Sequence, residues 1–517
     1  MTDRAQRAGL AAMAVLLVAC GGGGGAGTTL APAPLPASEG LNDAVSYSSA
    51  ADGALAAPEE RAAVVQGHMA LAGKQLDYTA TSGHLTALDA RSGQPVASFF
   101  YVAYTAGTLG AARRPLTFFY NGGPGSSSMW LHLGAFGPKR VVTGIPAAEI
   151  PLPVQLVDNQ ETLLDYTDLV YVDAIGTGFS QAVAPNQNQD FWGVDRDAAA
   201  FRDFVRRYVA VNQRQVSPKF LFGESYGAPR TAVLANLLET AGMALDGIVL
   251  HSAIMNYNSN CGVFAPGSVS CEGYFPSFAA TGAYHGVSVP VPPDLVAYVQ
   301  QARVVGAGAY RNAIGAWLLD RSVPADSVQV QLAALTGMAQ QLWRDTPDFG
   351  PNVFQAGLLP ARLIGRYDAR VVAAKGSALA ADNDPSLTVV SAAFSTTIRS
   401  YLQGELKYTA RSSYVTNNNI VERWDFRHDG KAVPDTIPDL AAAMLQNPAL
   451  KVLALGGYHD LATPFYQTEM DLARLDAGSA VRIINYGSGH MIYLDDVARR
   501  AQKSDLAAFL HSESVAK

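Results

Sequence analysis

The chain has 517 residues, 49% hydrophobic and 16% charged, with 37 Lys and Arg against 44 Asp and Glu for a formal charge of −7. That mixture excludes a disordered or collagen-like chain, and without a dense Lys/Arg run no nucleic-acid partner is expected. The three cysteines, Cys20, Cys261 and Cys271, show no C-x-x-C spacing, which excludes both a disulfide-dense mini-protein and a zinc ribbon.

In chain order, the first predicted element is an export signal. Arg4 and Arg7 precede an apolar stretch from about Ala8 to Ala19 that is too short to span a bilayer. It ends Leu17-Val18-Ala19-Cys20, which resembles the bacterial lipoprotein box. The resemblance implies a signal peptide over residues 1–19, acylation of Cys20, and attachment to a membrane through an N-terminal lipid anchor. Residues 20–58, opening on Gly21 to Gly25 and carrying Pro32, Pro34 and Pro36, are predicted to be a flexible tether. Export also allows Cys261 and Cys271 to pair across a short Gly- and Pro-rich loop, two buried thiols being the alternative.

Short β-rich apolar runs then alternate with amphipathic helices, the pattern of an α/β protein with a mixed or mostly parallel sheet. Strands are predicted at residues 96–104, 116–120, 169–172, 220–222, 248–250, 452–455 and 481–485. A helix is predicted between residues 191 and 214, where Val194, Ala198, Phe201, Val205, Tyr208 and Val209 recur at helical spacing. From 255 to 404 the strand signal fades, and Val328, Leu332, Leu335, Met338 and Leu342 follow a helical period. The expected organisation is a core of residues 59–254 and 405–517 interrupted by a helical insertion at 255–404.

The chemistry concentrates at Gly223-Glu224-Ser225-Tyr226-Gly227. This G-x-S-x-G follows a predicted strand and precedes a predicted helix, the context of a nucleophile elbow, in which Ser225 stands exposed at a strained turn. A serine hydroxyl needs a base, and the base needs a group that orients it. His490, in Tyr486-Gly487-Ser488-Gly489-His490-Met491 after the last strand, is the expected base, and Asp460, beyond the strand at 452–455, the expected acid. His68, His84, His428 and His511 are expected to face solvent, and His459 to be a loop residue. Oxyanion donors are expected from the N–H of Tyr226 and from the loop Asn121-Gly122-Gly123-Pro124-Gly125-Ser126-Ser127-Ser128. No H-E-x-x-H occurs, and neither a metal nor a cofactor is expected.

Those segments, together with Asp168 to Asp173 and Gly176-Thr177-Gly178-Phe179-Ser180, closely resemble the serine carboxypeptidase family. The resemblance implies an α/β-hydrolase fold with a mostly parallel central sheet and a helical lid inserted before the acid-bearing strand. It implies release of C-terminal residues from peptide substrates through an acyl-enzyme, with Ser225 as nucleophile, His490 as base and then acid, and Asp460 as orienting carboxylate. Backbone N–H groups of Gly123 and Tyr226 would form the oxyanion hole. Asn121 and Glu224 would recognise the free carboxylate of the substrate, with Gly122 and Met491 also in the substrate-binding set. A carboxylate beside another carboxylate requires a shared proton, so peptide binding is expected to favour mildly acidic pH.

Departures from the family are visible as well. Ser126 stands where the family usually has cysteine, Phe119 where a tryptophan is common, and Ala135 falls near a position that often carries a second glutamate. Serine hydrolysis is therefore more firmly encoded than exopeptidase specificity. An esterase or acyltransferase using the same triad, and a catalytically inactive binding protein, are the competing readings.

Overall fold

Leu116–Tyr120, Asp168–Val172, Lys219–Glu224 and Gly247–His251 are buried at every position. Strands that bury both faces belong at the centre of a sheet covered by helices on each side. The computed structural model, which describes residues 36–107, 114–265, 267–475 and 480–515, with side chains to 511, contains that sheet. The signal at 1–19, Cys20 and the start of the tether lie outside the described residues.

The sheet has eleven strands. They are β1 (Ala37–Ser38), β2 (Ala62–Leu71), β3 (Lys74–Leu88), β4 (Pro95–Ala106), β5 (Leu116–Tyr120), β6 (Asp168–Val172), β7 (Gln181–Ala182), β8 (Lys219–Glu224), β9 (Gly247–His251), β10 (Lys451–Gly457) and β11 (Val481–Tyr486). The spatial order is β1-β2-β3-β4-β6-β5-β8-β9-β10-β11, with β7 beside β4. From β6 to β11 all pairs are parallel; β2, β3 and β4 form an antiparallel meander joined to β6. All seven predicted strands are present. The β2–β3 hairpin has no counterpart among them: Gln66, Gly67 and His68 interrupt the apolar residues of β2, and Thr, Ser, Gly and Ala those of β3, so neither gives a continuous apolar run.

Helices α1 (Val194–Val211) and α2 (Gly227–Thr240) follow β7 and β8 respectively. Phe201, Phe204 and Tyr208 of α1 and Leu234 and Leu238 of α2 bury one sheet face against Phe118, Val170, Leu221 and Ile248. Between β9 and β10 come α3 (Phe275–Tyr284), α4 (Leu295–Val305), α5 (Arg311–Asp320), α6 (Asp326–Thr336), α7 (Gln340–Asp345), α8 (Pro351–Gly357), α9 (Pro385–Gly404) and α10 (Ile437–Gln446). Most of these helices share a core of their own around Phe275, Phe278, Tyr310, Trp343 and Phe354. The run predicted as one helix from Val328 to Leu342 is two, α6 and α7, parted at Gly337, whose φ of +76° ends α6 in the left-handed region. After β10 come α11 (Phe465–Leu472) and α12 (Asp496–Val515). Phe509 and Leu510 of α12 cover the second sheet face with Phe222, Val249 and Leu453.

Three expectations need correction. Residues 36–58 are not a free tether: β1 pairs with β2, Leu41–Asp43 pairs with Tyr408–Ala410, and Leu55 is buried against Val183. Two short strands and scattered apolar residues seat this segment although it has no periodicity of its own. His84 does not face solvent; its ring stacks on Tyr47 and meets Ser98 and Tyr408 at 3.1 and 3.0 Å. His428 is likewise buried, between Asp195 and Asp439. Cys261 and Cys271 are joined in a disulfide, with Cα atoms 5.2 Å apart.

Candidate active site

β8 ends on Glu224 and the chain turns at Ser225 into α2. Ser225 has φ +60°, an uncommon conformation for a residue with a side chain, held by a hydrogen bond from its N–H to the carbonyl of His251 at 2.9 Å. Gly223 is required at this turn, since a Cβ there would collide with the Gly227 carbonyl and with Thr231 Oγ1. Ser225 itself is partly exposed, on the floor of a cleft of about 340 Å³.

His490 follows β11 and lines the same cleft. Its Nδ1 lies 2.7 Å from Asp460 Oδ2, both residues fully buried. Asp460 is oriented in turn: Oδ1 accepts from the N–H groups of Ala462 and Thr463 at 2.7 and 2.9 Å, and the Thr463 hydroxyl lies 2.8 Å from Oδ2. Burial opposes protonation of His490, but Asp460 outweighs it, so the imidazole is held above its usual pKa. His490 Nε2 is buried without a hydrogen-bond partner, leaving the other ring nitrogen for chemistry in the cleft.

The loop after β5 forms the opposite wall, with Asn121, Gly122 and Gly123 lining the cleft. A Cβ on Gly122 would strike the backbone nitrogen of Tyr226, so the two backbones expected to supply oxyanion donors pass in direct contact. Asp173 at the end of β6 accepts from the Ser128 N–H at 2.8 Å, and the Ser180 hydroxyl donates to the Asp173 carbonyl at the same distance. The Asp168 to Ser180 segment therefore acts on the site by fixing this loop. Arg230, fully buried, binds Asp197 at 2.6 Å and the Asn121 carbonyl at 2.7 Å, tying α1 and α2 to it.

Glu224 also lines the cleft, beside Ser225. Burial, reinforced by Asp460, pushes its carboxyl up to about 7, against the opposing pull of His490, Tyr493 and Asn121. Met491 is buried at the cleft edge. Phe119 and Ala135, two of the departures, are core residues; Phe119 packs between the rings of Tyr171 and Phe222. Where Ser126 precludes a disulfide, backbone bonds join the loop to the segment that covers it: Ser127 N–H to the Thr416 carbonyl at 3.0 Å, and Asn418 N–H to the Gly125 carbonyl at 2.7 Å.

Several cleft residues lie outside every motif of the sequence. Tyr367 and Leu387 reach the cleft from the segment between α8 and α9 and from α9, and Asn417, Asn418 and Asn419 from the loop after it. The carbonyl of Tyr367 accepts from the His490 N–H at 2.6 Å, and Arg370 donates to the Gly487 carbonyl at 2.7 Å, so the segment between α8 and α9 holds the histidine loop directly. Of these, only the Asn417 to Asn419 triplet stands out in the sequence. Among the described residues no group of His, Cys, Asp and Glu is arranged to hold a metal ion.

The parallel sheet, the left-handed serine after its central strand and the aspartate–histidine pair beyond two later strands are the features of an α/β-hydrolase fold. Residues 72–265, which include β3 to β9 and the Ser225 turn, match the model of the serine carboxypeptidase family. A curated relative, the pheromone-processing carboxypeptidase KEX1 of Saccharomyces cerevisiae, is 29% identical over 151 residues, 27% of this chain and 19% of the relative. The match thus spans about a fifth of that relative's length. The crystal structure of KEX1(Δ)p, a prohormone-processing carboxypeptidase from the same yeast, superposes with a TM-score of 0.52 at 14% identity, covering 84% of this chain and 91% of that one, and supports the fold. A proline iminopeptidase from Mycobacterium smegmatis aligns at 13% identity and a TM-score of 0.35, over 84% of this chain and 99% of that one.

Proposed function

We propose that the protein is a serine-type carboxypeptidase that removes residues from the free C-terminus of peptides. The observation that carries this reading is Glu224: a buried carboxyl beside Ser225, held mostly protonated below neutrality, able to donate to a terminal carboxylate within the same cleft. Asn121 and the backbone at Gly122 would complete that contact.

In this reading Ser225 Oγ attacks the carbonyl carbon of the last peptide bond while His490 Nε2 takes its proton. The resulting oxyanion is met by the N–H groups of Gly123 and Tyr226, each worth about 3 kcal/mol in such sites. His490 then protonates the departing amine, the C–N bond breaks, and an acyl-Ser225 remains. Water, deprotonated by His490, attacks the ester and restores the serine. Asp460 holds the imidazole tautomer that presents Nε2. The segment 255–404, through Tyr367 and Leu387, would act as the lid and form part of the subsite wall.

The test compares N-blocked peptides with free or amidated C-termini and an aryl ester, using the native protein and a Ser225→Ala variant. Release of a single residue from free-acid peptides alone supports the proposal; ester cleavage without peptide trimming supports the esterase or acyltransferase reading. The proposal extends to location: residues 1–19 direct export, which the oxidised Cys261–Cys271 pair favours, and Cys20 carries a lipid anchor. Cys20→Ser should move the protein from the membrane to the soluble fraction.

A further inference from the structure

Glu224 closes β8 and His251 closes β9, and the two are direct partners in the parallel register of those strands. Partners in register project to the same face of a sheet. Here that face also carries Phe222, whose ring centroid is 5.5 Å from that of His251, and Tyr493, at the same distance. His251 Nδ1 stands 3.6 Å from Glu224 Oε2, and both atoms are buried without a hydrogen-bond partner. Two unsatisfied polar atoms facing each other in a closed site are costly unless they serve one another or a ligand.

The far side of the ring is fixed. Gln502 Nε2 of α12 lies 3.0 Å from His251 Nε2. An amide nitrogen only donates, so that ring nitrogen is the acceptor, and the proton of the neutral imidazole sits on Nδ1, toward Glu224. Burial, with His490 nearby, keeps the imidazole neutral by holding it well below its usual pKa. The other groups that bear on Glu224 are His490, Asp460, Tyr493, Asn121 and Tyr367. The His251 ring stands opposite Oε2.

Resting on the carboxypeptidase reading, we propose that His251 is a positioning residue for substrate recognition: oriented by Gln502, it donates from Nδ1–H to Glu224 Oε2. A carboxylic acid can carry its proton on either oxygen. A donor at Oε2 makes that oxygen an acceptor and leaves the acidic proton on Oε1, available to the terminal carboxylate of a peptide. The histidine thereby does what a second carboxyl partner would otherwise do, by directing a proton rather than sharing one. Closing the 3.6 Å gap to hydrogen-bond length needs only a small side-chain rotation.

The test measures Glu224 directly. In protein labelled with ¹³C at the glutamate carboxyl, the resonance missing from Glu224→Gln identifies Glu224, and its titration is followed in native protein, His251→Phe, His251→Asn and Gln502→Leu. Loss of the Nδ1–H donor should move the midpoint up by about half a pH unit or more in His251→Phe. Gln502→Leu should move it in the same direction, and His251→Asn, which keeps a donor, should restore it. In parallel, KM for a free-acid peptide at pH 5 should rise severalfold in His251→Phe with a smaller change in kcat, and return in His251→Asn. A midpoint that moves in neither His251→Phe nor Gln502→Leu overturns the proposal, and the Gln502→Leu titration alone decides between the two outcomes if His251→Phe fails to fold. A native protein that trims no peptide would instead overturn the carboxypeptidase reading, while the midpoints still report whether His251 acts on Glu224.

Discussion

The carboxylate of Asp460 and the imidazole of His490, 30 residues apart in sequence, meet at 2.7 Å through Oδ2 and Nδ1 in a site closed to solvent. The remaining Asp460 oxygen is taken by two backbone N–H groups, so the acid has no freedom to leave the ring. Asp460→Asn should keep this geometry but favour the wrong imidazole tautomer. The expected loss in kcat is about 10⁴-fold with KM little changed, measured on whichever substrate the native protein hydrolyses best.

In the carboxypeptidase reading, Glu224 sets a pH dependence of definite sign. With its carboxyl pushed up to about 7, it is protonated below that pH and can donate to a terminal carboxylate; above it two like charges meet. For free-acid peptides kcat/KM should fall as pH rises through about 7, whereas an ester lacking that carboxylate should show no such fall. On the acidic side both profiles should decline as His490, raised above its usual pKa by Asp460 against the effect of burial, takes up a proton. Glu224→Gln should remove the alkaline fall, because an amide donates at every pH.

Arg230 and Asp197 form a buried ion pair at 2.6 Å, and the guanidinium also holds the Asn121 carbonyl. Asp197→Ala leaves a buried cation unpaired and should cost about 3–5 kcal/mol in urea unfolding. Replacing both partners by apolar residues, as in Asp197→Leu with Arg230→Met, should recover most of that stability. It should not recover activity, since the Asn121 turn loses its anchor.

His428 joins three segments: its Nδ1 lies 2.6 Å from Asp195 in the first turn of α1, and its Nε2 lies 2.8 Å from Asp439 in the first turn of α10. The bond to Asp439, with that to Asp195, outweighs burial and raises its pKa to about 9. A histidine raised on folding stabilises fully below its unfolded value near 6.5, and that contribution is lost as pH rises through the folded value. His428→Gln should therefore destabilise by about 2 kcal/mol at pH 6. The difference between variant and native unfolding curves should shrink steadily up to about pH 10.

Sequence alone indicated the seven strands predicted from residue 96 onward, the strand-to-helix turn at Ser225, and the Asp460 and His490 that the structure brings together. Each of these is written within about ten consecutive residues, as an apolar run, a glycine-flanked turn or a motif at a strand end. Tertiary structure alone decided what is adjacent to what. The pairing of Glu224 with His251 depends on parallel register between strands separated by a helix. The placement of Tyr367 and the Asn417 to Asn419 triplet in the cleft depends on the long segment between β9 and β10 folding back toward the Ser225 turn. The seating of residues 36–58 and the burial of His84 and His428 depend on partners hundreds of residues away. Composition and periodicity record how a segment meets its own neighbours in the chain, and carry no term for partners brought close only when the sheet is assembled. A large, slightly acidic chain with three cysteines is thereby recognisable as a foldable α/β protein, and packing decides which of its buried polar groups lie beside Ser225.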